Sequence, residues 1–349
     1  IATLVVSCPC ALSLATPTAI TAASGQLARI GLLPKQTHAL ETLAHATDFV
    51  FDKTGTLTEG KIKLENILLI DGHGINQQQA HDIAASLEAN SEHPIAKAIL
   101  ADRPSIFPVD NLKHTTGQGI QGVIDGTEWY LGNDMFIQQQ GVSCDNNAGS
   151  DSASKIYLAN KQQCIAVFIL SDAIRVEAQE LINNLHTAHK TTHLMSGDRN
   201  DNTQKISAQL GIKHAAGNLR PENKLQKVSE LQKQGAIVVM TGDGVNDAPV
   251  LAGANLSIAM GKGTQLAATT ADMILISNNI EHIFHGYQIA IKTLHIISQN
   301  LTWALLYNIL AIPAAATGHV EPWLAAIGMS ASSLVVVLNA MRLNTIKLK

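Results

Sequence analysis

The chain has 349 residues, a formal net charge of −4, four cysteines and only 15% charged residues against 46% hydrophobic ones. That length suggests about two or three domains, and the composition excludes disorder, a collagen-like repeat and a disulfide scaffold. Without net positive charge or a basic cluster, there is no electrostatic reason to bind nucleic acid.

The first predicted element is a membrane helix. No Asp, Glu, Lys or Arg occurs from Ile1 to Ala28, from Thr293 to Val320 or from Pro322 to Met341. About 20 helical residues cross a bilayer, so spans are expected over 1–24, 296–316 and 322–341. Buried core helices give the same pattern. A signal peptide is the other reading of the first window, which lacks both a basic n-region and an initial Met. Arg29 and Lys35 follow the first span, Lys292 precedes the second, and Arg342, Lys347 and Lys349 follow the third. The Thr317–Glu321 link carries no Lys or Arg. By the positive-inside rule, residues 29–292 and the C-terminus are cytoplasmic. A chain that opens in mid-helix reads as a fragment.

Cys8-Pro9-Cys10 sits within the first window. Proline frees backbone groups at bilayer depth, which is tolerated only inside protein or at a used site. Two sulfurs favour a soft ion such as Cu(I), Ag(I), Zn(II) or Cd(II), while two small hydrophobes beside a kink are the plainer alternative. A Cys pair separated by one residue is a poor disulfide candidate. Cys144 and Cys164 show no metal-ligand spacing and are expected to be structural.

Past a linker at 25–45, residues 47–52 form a buried strand ending in Asp52, followed by the turn Lys53-Thr54-Gly55-Thr56. Residues 193–195 and 236–241 are further buried strands, leading into Ser196-Gly197-Asp198 and Gly242-Asp243-Gly244-Val245-Asn246-Asp247. Helical patterns fall at 176–189, 202–210 and 223–234. This alternation predicts an open parallel α/β sheet whose ligands lie beyond the strand carboxyl ends. The segment 61–170, with helices at 77–89 and 94–100 and short strand-like runs, reads as an α+β insertion. Residues 145–154 read as a polar surface loop, and no internal repeat is visible.

Phosphoryl transfer through a protein needs a carboxylate nucleophile, a divalent cation and positive charge near the moving oxygens. Asp52 at a strand end fits the first role. Asp243 and Asp247 in their glycine-rich turn suit Mg²⁺ or its ligands. Ser196 offers a hydroxyl and Lys224, after Pro221, a cation. Each alone reads as a solvated polar residue; together, three of them after strands, they read as one site.

Asp-Lys-Thr-Gly-Thr-Leu-Thr at 52–58 and Thr-Gly-Asp-Gly-Val-Asn-Asp-Ala-Pro at 241–249 resemble the signatures of P-type ATPases. The resemblance implies an α/β haloacid-dehalogenase-like phosphorylation domain at 46–60 and 171–290, an inserted α+β nucleotide-binding domain at 61–170, and transmembrane α-helices, two of them in 291–349. It implies ATP as phosphoryl donor to Asp52, and Mg²⁺ at Asp52, Asp243 and the Thr54 carbonyl. Ser196 and Lys224 would surround the phosphoryl group, with Asn246 and Asp247 as neighbours. Hydrolases of this fold carry a second acid where this chain has Thr54, so an aspartyl-phosphate should persist.

Ser91-Glu92-His93-Pro94 and Gly117-x-Gly119 resemble the nucleotide-binding domain of the heavy-metal subclass. Glu88, His93, Gly117, Gly119, Ile120, Gly132 and Asn133 then correspond to positions around adenine and ribose. His93-Pro94 is equally a helix start with Pro in its first turn. Gly117-x-Gly119-x-x-Gly122 is not a dinucleotide fingerprint, since no strand-turn-helix surrounds it.

The remaining spans contribute Tyr307-Asn308 and, at i,i+4 on one helix face, Met329 and Ser333. With Cys8 and Cys10 and no charged residue, this set resembles the Cu(I)-exporting branch, since a thioether and neutral oxygens suit a monovalent soft ion. Ag(I) is its chemical equivalent. The resemblance also implies as partners a lipid bilayer, a cytoplasmic copper chaperone and the N-terminal part of the same pump. The actuator domain has no counterpart here, Ile1 falls within what would be the sixth of eight spans, and Ser196 replaces the family's usual Thr. A bacterial inner membrane is the expected location. Competing readings are a Zn(II)/Cd(II) exporter, a membrane-tethered phosphatase and a non-catalytic metal-binding module.

Overall fold

The computed structural model describes residues 10–70, 74–101, 107–115, 117–144, 154–244, 247–261, 263 and 265–345. In chain order its strands are β1 (Leu32–Pro34), β2 (Asp48–Asp52), β3 (Thr58–Leu69), β4 (Asp110–Thr115), β5 (Gly119–Ile124), β6 (Thr127–Gly132), β7 (Ser154–Asn160), β8 (Cys164–Ile174), β9 (Thr191–Met195), β10 (His214–Ala216), β11 (Val238–Gly242), β12 (Leu256–Met260) and β13 (Met273–Leu275). The helices are α1 (Cys10–Arg29), α2 (Ala39–His45), α3 (Gln77–Glu88), α4 (Pro94–Leu100), α5 (Asp134–Gln139), α6 (Ala178–Thr187), α7 (Asn200–Leu210), α8 (Pro221–Lys233), α9 (Ala248–Gly253), α10 (Gln265–Thr270), α11 (His282–Ala316) and α12 (Pro322–Met341).

Two compact units result, one of residues 1–56, 176–197 and 207–349, the other of 57–175 and 198–206. In the first, a seven-stranded sheet runs in the order β1-β13-β12-β11-β2-β9-β10. All its pairings are parallel except that of β1 with β13. Pro34 lies in β1, an edge strand, where a missing N–H costs no ladder bond. The chain leaves β2 for β9 and β10 on one side and returns through β11, β12 and β13 on the other. That reversal makes the carboxyl end of β2 a topological switch point, where such sheets bind ligands. One core cluster gathers Val50, Met195, Val228, Val238, Met240, Val250 and Leu251.

Helix α11 belongs to the same unit. It is 35 residues long, about 52 Å at 1.5 Å per residue. Near its start Tyr287 packs edge-on against Phe49 of β2, ring centroids 6.0 Å apart. Its later turns expose Leu305, Leu306, Ile309 and Leu310. The expected span at 296–316 is thus the far part of a helix rooted against the sheet. Ala11 and Ala15 of α1 pack with Ala304 of α11 and Val336 of α12 in one cluster, whose alanines let the helix backbones approach closely. Among the described residues, one helical stretch, Pro322–Thr345, is long and apolar enough to cross a membrane. The other two windows fall short for different reasons. The first runs into residues outside the described ones, and the second is diluted by Ser298, Gln299, Asn300 and Asn308.

The second unit is a six-stranded sheet in the order β3-β8-β7-β6-β5-β4, every described pairing antiparallel. It begins at Leu57, ahead of the expected 61, because Thr58 already pairs with Ile174. Ile83, Ala84 and Leu87 of α3 and Ile99 of α4 share a core with Ile120, Ile124, Leu131 and Phe168 of the strands. Asn76 caps α3 reciprocally with Gln79, which explains its start. A second cluster gathers Phe136, Ile137, Tyr130, Tyr157, Cys144 and Cys164. Those two cysteines are joined by a disulfide, Cα–Cα 5.3 Å, a bond their spacing gave no reason to expect.

Candidate active site

Asp52 is the last residue of β2, Ser196 follows β9, and Asp243 follows β11. Parallel pairing of β2 with both neighbours brings these three ends level, Asp52 lying opposite Met195 and Phe51 opposite Thr241. Pro221 begins α8, whose first turn delivers Lys224. The Lys224 Nζ donates to Asp52 Oδ1 at 2.6 Å and to both oxygens of Asp247 at 2.9 Å. All three side chains are buried, at 4–8% exposure. Ser196 is buried as well, its N–H bonded to Ala216 O at 3.0 Å, and Asp243 is half-buried.

Burial pushes the Asp52 carboxyl up from 3.8 to about 7, with the negative charges of Asp247 and Asp243 adding to the rise and Lys224 opposing it. Desolvation alone would lower the Lys224 ammonium, but the carboxylates of Asp52 and Asp247 together hold it above its ordinary value. The nucleophile candidate is therefore a buried carboxyl that relies on one cation for its charge.

Two glycines shape the turns, a requirement the motifs carry but sequence reasoning did not assign. Gly55 has φ 72°, and a Cβ there would lie 2.8 Å from Asp243 Oδ2, so its absence lets the first turn close on that carboxylate. Gly244 has φ 75°, and a Cβ there would collide with Ala267. Thr54 is exposed, with extended ψ of 128°, inside a turn that is not helical. The carboxylates of Asp52 and Asp243 and the Thr54 carbonyl form an all-oxygen donor set, which suits Mg²⁺. Asn246 lies outside the described residues.

Sequence reasoning also passed over His193 and Asp48, a buried histidine and a half-buried aspartate paired at 2.8 Å in neighbouring strands β9 and β2. Burial is the largest influence on His193 and holds it below its ordinary value, although Asp48 favours the cation. The signal was a histidine in the middle of β9 and an aspartate opening β2, both next to apolar residues.

In the second unit the expected nucleotide residues divide. Gly119 and Gly132 are register partners in β5 and β6. A Cβ on Gly119 would meet Phe136 Cδ1 at 2.5 Å and Leu131 O at 2.6 Å; one on Gly132 would meet Gln118 O and Phe136 Cδ1, both at 2.6 Å. Close packing already requires these two glycines. Gly117, at φ 72° with open space, is a turn residue. Asn133 caps α5, accepting from Phe136 N at 2.8 Å, and donates from Nδ2 to Gly117 O at 3.3 Å. Ile120 is 2% exposed, its side chain part of the core under the sheet. Glu88 ends α3 half-buried, and exposed His93 caps α4, its Nδ1 accepting from Ile95 N at 3.3 Å.

Among the membrane-window residues, Cys10 Sγ approaches Met329 Sδ at 3.9 Å. The Tyr307 hydroxyl lies against Gly328, the residue before Met329, where a Cβ would come within 2.9 Å of it. Ser333 bonds back to Met329 O at 3.1 Å, one turn along α12. Asn308 is half-buried beside Tyr307, and Cys8 lies outside the described residues. Cys10 is in its disulfide-bonded form, against the expectation from its neighbourhood. Loading a soft ion on that sulfur would first require reduction to the thiolate.

Known proteins extend this picture. A protein of Enterococcus hirae named probable copper-importing P-type ATPase A is 36% identical over 99% of this chain and 48% of its own length. A copper-exporting one of Mycobacterium leprae is 35% identical over 98% of this chain and 44% of its own. The crystal structure of a zinc-transporting PIB-type ATPase in the E2.Pi state superposes with a TM-score of 0.87 at 30% identity, over 97% of this chain and 56% of that one. This chain spans about half the length of the curated relatives it matches. The haloacid dehalogenase-like hydrolase profile matches residues 49–255, and the chain belongs to that family.

Proposed function

We propose that this haloacid dehalogenase-like hydrolase is the catalytic and C-terminal membrane portion of an ATP-driven pump that exports Cu(I), with Ag(I) as an equivalent cargo. It acts through an aspartyl-phosphate on Asp52. The observation that carries the reading is the buried cluster of Asp52, Lys224 and Asp247 at the switch point of the sheet. An oxygen of Asp52 attacks the γ-phosphorus of ATP, the bond to the bridging oxygen breaks, and ADP leaves. Lys224 favours the ionised form of the attacking carboxyl against the pull of burial and stays paired with Asp247 as charge moves onto the phosphoryl oxygens. Mg²⁺, held by Asp52, Asp243 and the Thr54 carbonyl, supplies positive charge to those oxygens when bound. Thr54 stands where a hydrolase needs its second acid, so the phosphate persists to drive a conformational change.

For the cargo, the approach of Cys10 to Met329, with the Tyr307 hydroxyl against the neighbouring Gly328, supports a site of soft and neutral donors. The likeness to a zinc transporter keeps Zn(II) as the second reading. The pump is multi-pass, joins its N-terminal part, sits in a bacterial inner membrane with residues 29–292 in the cytoplasm, and receives its ion from a cytoplasmic chaperone.

The test is acid-stable label transferred from γ-labelled ATP to the full-length pump in a series of Cu(I), Ag(I), Zn(II) and Cd(II). Label that requires Cu(I) or Ag(I) and disappears in Asp52→Asn and in Cys8→Ser/Cys10→Ser supports the reading. Zn(II)-driven label replaces the cargo and keeps the pump. Rapid turnover of simple phosphate esters without ATP specificity makes the chain a phosphatase.

A further inference from the structure

We propose that the Cys144–Cys164 disulfide is a redox-sensitive clip: reduction by a dithiol loosens α5 and with it the Gly117–Gly119 and Gly132–Asn133 edge, weakening nucleotide binding there. The nucleotide half of this statement rests on the function proposed above; the clip itself rests on the contacts of the second unit.

Helix α5 has six residues, too few to be stable by its own hydrogen bonds. Its amino end is tied by Asn133, whose N–H donates to Gln118 O at 3.0 Å while its Nδ2 reaches Gly117 O. In its middle, the Phe136 ring fills the space left by the missing Cβ atoms of Gly119 and Gly132. Beyond its carboxyl end, Val142 N–H donates to Ile137 O at 3.3 Å, and Cys144 is bonded to Cys164 at the start of β8. Both cysteines are buried with Phe136, Ile137, Tyr130 and Tyr157 in one cluster. The disulfide thus anchors the far end of a short helix whose near end shapes the turn at Gly117–Gly119. If the anchor is released, the amino end stays tied through Asn133, and the carboxyl end keeps only the Val142–Ile137 bond and the packing of Phe136 and Ile137.

Compartment decides between a permanent staple and a switch. Residues 29–292 read as cytoplasmic, and disulfides on that side are scarce and mostly transient or redox-sensing. The exchange is balanced. A thiolate of the dithiol attacks one cysteine sulfur, and the S–S bond breaks to release the other as a thiolate. The second thiolate of the dithiol then displaces the remaining cysteine. Two electrons and two protons pass to the cysteines, and the dithiol leaves as a cyclic disulfide. At 6% and 4% exposure the sulfurs are reached only when their surroundings open, so reduction should be slow.

The experiment uses the full chain in detergent, oxidised and then equilibrated with dithiothreitol. Alkylation and mass analysis verify the state of Cys144 and Cys164. Two quantities are read: amide hydrogen exchange over residues 134–142, and affinity for a non-hydrolysable ATP analogue. Because Cys10 is oxidised as well, Cys144→Ser/Cys164→Ser separates the two effects and should match the reduced chain without any reductant. The expected result is faster exchange in α5 on reduction and affinity lower by at least ~5-fold, the lower end of ordinary site-to-site coupling. Unchanged exchange in α5 overturns the clip whether or not nucleotide binds. Faster exchange with unchanged affinity overturns the link to the nucleotide edge. Faster exchange with no nucleotide bound in either state supports the clip and removes instead the nucleotide reading on which the second half rests.

Discussion

The two sheets place their candidate residues by opposite means. In the seven-stranded sheet, charge is buried: Asp52, Asp247 and Lys224 lie at 4–8% exposure, with the one ammonium 2.6–2.9 Å from both carboxylates. In the six-stranded sheet, Gly119 and Gly132 place nothing but backbone, and their importance is the Cβ they lack. The first site is held by electrostatics and fails when one partner is removed. The second is held by packing and fails when one atom is added.

The largest expected effect breaks the first of these. Lys224→Met leaves two buried carboxylates without their cation and should cost about 3–5 kcal/mol, the usual result of removing one partner of a buried pair. Urea unfolding at pH 8 measures it, and the loss should shrink at pH 5, where a carboxyl can take a proton. A loss under 1 kcal/mol at pH 8 would mean the cluster is open to water.

Next comes the pH dependence of the unaltered chain. The folded Asp52 carboxyl sits at about 7 against 3.8 unfolded, so between those values the folded state holds the extra proton. Stability is then highest at the acid end of this window and falls as pH rises from about 4 to about 7, levelling off above. Asp52→Asn should flatten that contribution; an equal slope in both chains would locate the titration elsewhere.

Gly119→Ala and Gly132→Ala should each cost about 1–3 kcal/mol by overpacking, since Phe136 and strand backbone occupy the needed space. Gly117→Ala meets no neighbour but holds a left-handed φ of 72°, so about 1 kcal/mol is expected. Thermal unfolding of the three variants sharpens the comparison, and an equal cost for all would deny the distinction between packing and turn strain.

Much of this was readable in advance because it depends on short stretches of chain. Asp52 ends, and Ser196 and Asp243 follow, short runs that read as buried strands, and Lys224 follows a proline that starts a helix. Strands of three residues, β1, β10 and β13, escaped notice because so short a run has no periodicity. Strand β12, with all five residues buried, was missed for another reason: Leu256–Met260 lacks both alternation and a charged residue to mark its end. The separation of α11 into a membrane span and a soluble start was drawn at Lys292 by charge, whereas Tyr287 and Phe49 show that packing carries one helix through.

By itself, then, the sequence determined the chemistry on offer: which carboxylates end strands and which stretches avoid charge. Those follow from local sterics and from the cost of burying ions. Only the tertiary structure decided that Lys224 serves Asp52 and Asp247 at once, across 172 and 23 residues of chain. It likewise decided that Cys144 meets Cys164, that Cys10 meets Met329, and that Gly119 and Gly132 face each other under Phe136. Pairings of that kind depend on strand order and register, which many residues set together and no single motif encodes.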